Sequence, residues 1–336
     1  MEVEQRAIYN ALMATEPPIL DLPLSWARVD ATAPRLRTLR LPLSRRTWVP
    51  CADIPEGWSF QQVFEAHLRP LPGGVILQGC NETLARYVRS QGGDAAQVGV
   101  EAALATDARA KASLMELAHR GRRWGEVKEL FPDEVNRRKM AELWQATAHG
   151  SKPQLQCAFR TDFDEHLRGF ALVNGEGTWL GALTLSQMKP DYWHVELLLR
   201  REDAPVGVME ALILDVKARL RAECAHWLSL GTVPFVEMAD PLAAGSCRWP
   251  WRPTCRGRAI ARMGRWMRFS FDYQGLYRFK QKFGPIWRPL YLCGWPDLPW
   301  RILPDLSWTS RHLHLVGYAA LQLGARRRRR GENGGK

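Results

Sequence analysis

The sequence lacks the features of a disulfide-stabilised, zinc-binding or membrane-spanning protein. Its seven cysteines are scattered and form no C-x-x-C pair, which argues against a disulfide framework or a zinc site. The longest apolar segment, Leu313 to Ala325, is shorter than the roughly 18 residues of a membrane span and contains His314 and Gln322. The N-terminus is acidic and has no apolar core, so it does not resemble a secretory signal. We expect a cytoplasmic protein that does not cross a bilayer.

Motifs of cofactor-dependent enzymes are missing as well. The sequence contains no P-loop, no dinucleotide-binding fingerprint and no G-x-S-x-G elbow. Its eight histidines show no spacing typical of metal ligands. We therefore expect neither a metal nor a cofactor, and any chemistry should use the side chains of the protein itself.

Positive charge is in excess. The chain has 47 Lys and Arg residues against 35 Asp and Glu, a formal net charge of +12. Residues 326–336, which include five consecutive arginines, account for +5 of this charge, so the rest of the chain is also basic. Such a balance predicts a polyanionic partner, either nucleic acid or an anionic membrane surface. For the arginine run itself, a frayed solubilising end is the alternative.

Length and apolar patterning predict a globular protein in four segments. The chain has 336 residues, 46% of them hydrophobic, enough for one large or two ordinary domains. We predict an irregular N-terminal lead-in over residues 1–50 and a first domain with linker helices over 51–150. A second domain is expected over 151–295, and an amphipathic, Arg-rich tail over 296–336.

The second domain shows the clearest periodicity. Residues 169–185 predict a hairpin, residues 193–199 a third strand, and an apolar stripe after Pro205 a long helix, for which Asp203 is the expected N-cap. A strand over 227–231 and a helix over 273–283 follow. This order is typical of acyltransferases, although many α+β folds share it.

Three stretches resemble one known family. Residues 271–292, FDYQGLYRFKQKFGPIWRPLYL, are similar to the closing signature of the catalytic region of bacterial phosphatidylglycerol lysyltransferases. Residues 196–210 and 228–235 agree with the same family in order and spacing. Weaker similarity extends further toward the N-terminus, so the resemblance covers most of residues 60–292.

The resemblance implies an α+β fold of tandem GNAT-type acyltransferase domains. It also implies an enzyme that takes an aminoacyl group from aminoacyl-tRNA and esterifies it to a lipid headgroup such as phosphatidylglycerol, without coenzyme A. Well-known family members carry a membrane-embedded N-terminal portion, so this chain is expected to be a stand-alone soluble synthase, peripherally associated with the inner face of the membrane. In the family, an acidic residue is commonly followed three positions later by Arg. This chain departs from that pattern, because Glu196 is followed three positions later by Leu199.

Two other functions stay open. One is an acyl-CoA-dependent N-acyltransferase on the same fold, although no Q/R-x-x-G-x-G/A loop precedes the long helix. The other is a non-catalytic module that binds RNA or a membrane.

Lys280, Lys282 and Glu196 are the catalytic candidates. The two lysines flank an apolar helix face formed by Leu276 and Phe279, a pattern that equally fits solvated lysines. The resemblance favours a catalytic role, because a lysine of this motif belongs to the family's active-site region. Strand alternation makes Glu196 point away from its apolar neighbours into a site, where it could receive the donor's α-ammonium or act as a base. The alternative is an exposed Glu196 paired with Arg200.

Further candidates are assigned to binding. The candidates for substrate binding are His194, Arg200, Glu237 and Tyr273. The candidates for binding tRNA phosphates are Arg258, Arg262 and Arg265, spaced i, i+4, i+7 on one helix face, together with Arg122 and Arg123. A solvated basic loop is the alternative for the first three. The aromatic and aliphatic residues from Trp295 to Leu323 resemble an interfacial anchor, or they pack back on the second domain.

Overall fold

The computed structural model describes residues 16–157, 159–239, 241–242, 257, 260, 262, 264–265 and 270–333. Within these residues the strands are β1 (Trp26–Val29), β2 (Arg35–Arg40), β3 (Thr47–Pro55), β4 (Val75–Cys80), β5 (Asp94–Ala105), β6 (Glu126–Leu130), β7 (Arg168–Val173), β8 (Trp179–Lys189), β9 (Tyr192–Arg200), β10 (Trp227–Pro234) and β11 (Ile286–Trp295). The helices are α1 (Phe60–Val63), continued by a π-helical turn over Phe64–Leu68, α2 (Glu82–Ser90), α3 (Ala112–Arg122), α4 (Glu134–Gln145), α5 (Val208–Ala222), α6 (Tyr273–Gln281), α7 (Ile302–Thr309) and α8 (His312–Asn333).

All of these strands belong to one mixed sheet. Its order is β1-β3-β4-β11-β5-β10-β9-β8-β7-β6, with β2 paired to β3. The last strand, β11, lies between β4 and β5 and runs antiparallel to both. Strands from residues 51–150 and from residues 151–295 therefore interleave, while the division of the chain at residue 150 stays a prediction.

Residues 26–50 are not the irregular lead-in expected from the sequence. They form β1, β2 and the start of β3, and β1 pairs in parallel with β3. The prediction was wrong here because β1 and β3 are buried along almost their whole length and so show no alternation of apolar and polar residues. The Arg-rich β2 pairs only with β3 and is mostly exposed, which hides its strand character.

Helix α5 covers one face of the sheet, as its apolar stripe predicts. The buried stripe residues are Met209, Leu212, Ile213, Val216 and Leu220. Burial of each such side chain contributes about 1.5–3 kcal/mol. The helix begins after Gly207 rather than at Asp203, which pairs with Arg201 instead. Gly207 has a φ of 97°, and a Cβ there would lie 2.1 Å from the Leu117 carbonyl oxygen, so only glycine permits α3 and α5 to pack this closely.

The neighbouring parallel strands β9 and β10 separate in the middle of the sheet. They pair only where Tyr192, Trp193 and His194 face residues 227–229, although both strands continue beyond that point. Each strand has a bulge at the separation. In β9 the extra residue is Glu196, and in β10 the register shifts around Gly231, whose φ is 82°. We call the place where β9 and β10 stop pairing, next to the two bulges, the opening between these strands.

Candidate active site

Lys280 of α6 lies buried at this opening. Its side chain is 4% exposed, and Nζ donates a hydrogen bond to the Thr232 carbonyl oxygen of β10 at 3.0 Å. Burial lowers the pKa of Lys280 to about 7, against the opposing charge of Glu101. A Cβ on Gly231 would lie 3.8 Å from Nζ and 3.3 Å from Cε1 of His194. The missing side chain of Gly231 thus leaves Lys280 and His194 on either side of one small space.

Lys282 does not join Lys280. Its Nζ forms an ion pair with Glu210 of α5 at 2.9 Å, and its side chain is 45% exposed. It also lies over the ring of Phe279, 5.6 Å from the centroid. The structure therefore separates the two lysines that the sequence treated as equivalent, with Lys280 inside the opening and Lys282 on the surface.

Glu196 and His194 form the opposite wall of the opening. Glu196 is 6% exposed, which excludes the exposed Glu196–Arg200 pair, and its Oε1 accepts a hydrogen bond from Ser186 at 2.7 Å. The His194 Nε2 lies 3.9 Å from Glu196 Oε2, and burial lowers the pKa of His194, which favours the neutral ring. Among the described residues, Glu196 Oε2 and His194 Nδ1 have no hydrogen-bond partner.

The bulge in β9 explains why strand alternation gives the wrong reason for the direction of the Glu196 side chain. Val195 and Leu197, which should share a face, pack into different hydrophobic clusters because the extra residue between them reverses the alternation. Glu196 points into the interior for this reason, and not because its two neighbours occupy the opposite face.

Arg160 is a buried residue of the site that the sequence did not reveal. It lies in the long connection between α4 and β7, and its Nε is 3.6 Å from Glu196 Oε1. Its Nη1 pairs with Asp53 of β3 at 2.7 Å, and its Nε donates to the Ser25 carbonyl oxygen at 3.1 Å. Burial lowers the pKa of Arg160, but the carboxylates of Glu196 and Asp53 raise it above its ordinary value. Arg160 thus neutralises Glu196 and ties it to β3.

A second buried network lies behind Lys280. Glu101 of β5 accepts a hydrogen bond from Tyr192 at 2.6 Å and another from Arg288 Nη2 of β11 at 2.7 Å. Burial raises the pKa of Glu101, but the charge of Arg288 and the hydrogen bonds from Tyr192 and Ser229 bring it below its ordinary value. Arg288 belongs to the signature stretch and Glu101 to the weaker similarity on its N-terminal side, but neither residue was among the candidates for the site.

The remaining substrate-binding candidates lie away from this cluster. Tyr273 is buried against Phe235, with the ring centroids 5.8 Å apart. Glu237 is exposed and lines a shallow recess with Phe235. Arg200 is exposed and donates to the Ala204 carbonyl oxygen. In the described parts of the chain, none of these three contacts Glu196, His194 or Lys280 through a hydrogen bond or ion pair.

The basic candidates are surface residues where they are described. Arg262 and Arg265 are helical and exposed, and Arg258 lies outside the described residues. Arg122 pairs with Asp215 at 2.5 Å at the end of α3, and Arg123 next to it is exposed. These positions leave cationic groups available to a large anionic partner.

In the described residues, no group of three or more His, Cys, Asp or Glu side chains is arranged to hold a metal ion. No helix in the same residues is long and apolar enough to cross a membrane.

Comparison with known proteins gives the class and then the family. The α+β fold class, a mixed sheet flanked by helices, is confirmed, while its division into tandem GNAT-type domains stays a prediction. The L-PGS structure from Bacillus licheniformis superposes with a TM-score of 0.60 at 17% identity, over 85% of this chain and 86% of that one. The C-terminal domain named as a lysylphosphatidylglycerol synthetase from Agrobacterium fabrum gives 0.59 at 18% identity, over 84% and 85%. At these identities the likeness concerns the fold.

The family follows from the sequence model. Residues 74–294 match the family described as phosphatidylglycerol lysyltransferase, C-terminal, and the chain belongs to this family. The expected enzyme class is thereby supported at a coarse level, as a transferase of the aminoacyl-lipid type. No protein of curated function matches the chain.

Proposed function

We propose that the chain transfers an aminoacyl group from an aminoacyl-tRNA to a hydroxyl of a membrane lipid headgroup such as that of phosphatidylglycerol. The lipid oxygen attacks the ester carbonyl carbon and loses its proton, and the ribose oxygen of the tRNA leaves and gains one. The observation that carries the proposal is Lys280, a buried lysine with a pKa of about 7 beside the opening between β9 and β10, in a chain of this family.

Lys280 suits the proton transfers of this reaction. A general base works best when its pKa lies near the working pH, and an ordinary lysine would be fully protonated there. Because burial lowers its pKa to about 7, Lys280 is partly neutral at physiological pH and can accept the proton of the attacking hydroxyl. The resulting ammonium can return that proton to the leaving ribose oxygen.

Glu196 and His194 suit the other end of the aminoacyl group. The free Oε2 of Glu196 is a buried acceptor that a substrate ammonium can fill, and His194, whose Nδ1 is also without a partner, lies beside it. We assign them to the α-ammonium of the donor, with Arg160 fixing the carboxylate from behind. Lys282, exposed and paired with Glu210, is left without a catalytic role.

The exposed cations suit the tRNA. Arg262 and Arg265, together with Arg122 and Arg123, are assigned to phosphate contacts, which predicts binding that weakens steeply with salt. The donor is a cytoplasmic molecule, so the proposed site of action is the cytoplasmic surface of the membrane.

The experiment measures transfer of a radiolabelled amino acid from a panel of aminoacyl-tRNAs into the chloroform-extractable fraction. The protein is incubated with vesicles that contain phosphatidylglycerol, and Lys280→Met and Lys282→Met run in parallel. We expect lipid label with at least one amino acid, nearly abolished by Lys280→Met and retained by Lys282→Met.

Two results would overturn the proposal. One is that no tRNA gives lipid label or loses its amino acid faster than by spontaneous hydrolysis. The other is transfer of an acyl group from labelled acyl-CoA, supplied in place of the aminoacyl-tRNA, which would identify an N-acyltransferase instead.

A further inference from the structure

The last two helices form a unit outside the residues that match the family. We call α7 and α8 the C-terminal helix pair; they follow residue 294, where the family match ends. Helix α7 is fixed to the sheet, because Ile302 is 1% exposed and Asp305 accepts hydrogen bonds from the backbone of Leu43 and Ser44 at 2.8 and 2.6 Å. Helix α7 is thus held in a defined position on the protein, and α8 follows it directly in the chain.

Large apolar side chains are exposed on this pair. Trp308 is 61% exposed, Leu313 39% and Leu321 77%. Leu313 and Leu321 lie two turns apart on one face of α8, with the exposed Gly317 between them. A helix face in water normally carries charged residues, but residues 312–325 contain no Asp, Glu, Lys or Arg. This face therefore carries no charged side chain of residues 312–325, and its exposed polar neighbours are His314 and Gln322.

Charge is concentrated immediately after the apolar part. Helix α8 runs on to Asn333 and so includes the five consecutive arginines at 326–330. The uncharged part of the helix is about 21 Å long, too short to cross a hydrocarbon core of roughly 30 Å. An apolar face joined to a cluster of basic residues matches the two components of an anionic bilayer surface, acyl chains and phosphates.

We propose that the C-terminal helix pair docks the protein on an anionic lipid bilayer. Trp308, Leu313 and Leu321 enter the boundary between headgroups and acyl chains, and the arginines at 326–330 contact lipid phosphates. RNA would engage the arginines but would leave the exposed leucines in water, so the bilayer fits both features. The purpose of this docking rests on the proposed function, because it brings the opening between β9 and β10 to its lipid acceptor.

The test is flotation of the protein with vesicles, which needs no turnover. Vesicles of phosphatidylglycerol and phosphatidylcholine are compared with vesicles of phosphatidylcholine alone. One variant combines Trp308→Gln, Leu313→Gln and Leu321→Gln, and a second replaces the arginines at 326–330 with Gln. A matched control removes the same positive charge from exposed residues elsewhere, as Gln at Arg109, Lys128, Arg138, Lys139 and Arg221.

We expect the wild type to bind the anionic vesicles and both variants to bind them at least about tenfold more weakly, whereas the control changes by less than about twofold. Thermal unfolding checks that the variants fold. If the variant at Trp308, Leu313 and Leu321 does not fold, the arginine variant alone still tests the docking. Equal binding to both kinds of vesicle, unchanged binding of the arginine variant, or an equal loss in the control would overturn the proposal. Binding of tRNA by the wild type that the arginine variant loses, with vesicle binding unchanged in that variant, would assign the arginines to RNA and overturn the proposal.

The docking and the proposed function can fail separately. Vesicle binding without aminoacyl transfer leaves the docking standing and removes the function. Normal transfer to vesicle lipid by both variants removes the docking and leaves the function. Transfer to detergent-dispersed phosphatidylglycerol should be the same in the variants and the wild type.

Discussion

Two strand junctions near the centre of the sheet differ in how completely they are paired. Strands β5 and β11 pair from Ile286 opposite Ala103 to Gly294 opposite Asp94, whereas β9 and β10 pair only at residues 192–194 and 227–229. Buried charge accompanies both junctions. Glu101 has partners for both of its oxygens, in Tyr192 and Arg288, while Glu196 keeps one oxygen without a hydrogen-bond partner among the described residues.

This difference indicates that the β5–β11 junction supports the fold, whereas the β9–β10 junction forms the candidate site. A saturated buried network stabilises one arrangement and offers a ligand nothing to bind. An open junction with a free carboxylate oxygen and a lysine of lowered pKa costs stability and can recognise and process a substrate.

The largest effect on stability is expected at the paired junction. Glu101→Gln leaves Arg288 buried without its counter-charge, which should lower the free energy of unfolding by about 3–5 kcal/mol in urea denaturation. Glu116→Gln is the control, since it breaks an exposed ion pair with Arg120 and should cost no more than about 1 kcal/mol. Similar losses in both variants would contradict a supporting role for Glu101.

At the open junction the largest effect is expected on rate. Lys280→Met should lower the transfer rate about 10²–10⁴-fold, the usual contribution of a general acid or base, while Lys282→Met should lower it less than about threefold. Because Lys280 is buried and largely without charge compensation, Lys280→Met should leave the protein as stable as the wild type or about 1 kcal/mol more stable. Equal rate losses in the two variants would place the active lysine elsewhere.

Gly231 tests whether the bulge itself shapes the site. Gly231→Ala places a Cβ 3.3 Å from His194 at a φ of 82°, and we expect a loss of about 1–2 kcal/mol in stability with an about tenfold slower transfer. Gly177 has the same φ of 82° with nothing within 4 Å of its Cβ position. Gly177→Ala should therefore lose a similar amount of stability through backbone strain but should not slow the transfer. A full rate in Gly231→Ala would show that the space beside His194 is not used.

The pH dependence of Lys280 has a defined direction. If the neutral amine is the base, the transfer rate should rise about tenfold per unit as the pH increases toward about 7 and then level off, in stopped assays across this range. For stability, the folded pKa of about 7 lies below the ordinary value of 10.5, so between these values the unfolded chain binds more protons. The contribution of Lys280 to stability therefore improves as the pH rises from about 7 to 10.5, and Lys280→Met should remove that slope. A rate independent of pH below 7 would contradict the role as base.

Local sequence patterns predicted the elements that depend on local contacts. The hairpin of β7 and β8 and the stripe of α5 follow from periodicity and turn residues, because neighbours in sequence decide which side chains share a face. Helix starts were less well predicted. Asp203 pairs with Arg201, and Gly207 precedes α5, because a close crossing of α3 and α5 requires a glycine there.

Some residues of the candidate site could likewise be predicted from the sequence, and others could not. Lys280 could be selected from the signature around it, and the basic surface from composition. The separation of Lys280 from Lys282 could not be predicted, since it depends on Thr232 and Glu210, which lie on other elements. Arg160 likewise gives no signal in the sequence, because its partners Asp53 and Ser25 are more than a hundred residues away.

By itself the sequence determined the family, the fold class, the basic charge and the position of the signature, since each of these is carried by residue identity and local order. Only the tertiary structure decided which charges are buried together. Glu101 and Arg288 are separated by 187 residues and meet because β5 and β11 are neighbours in the sheet. Glu196 faces the interior because the bulge in β9 reverses the alternation of side chains along that strand. Burial and pairing set the pKa and the reactivity of such groups, and both depend on contacts between distant parts of the chain.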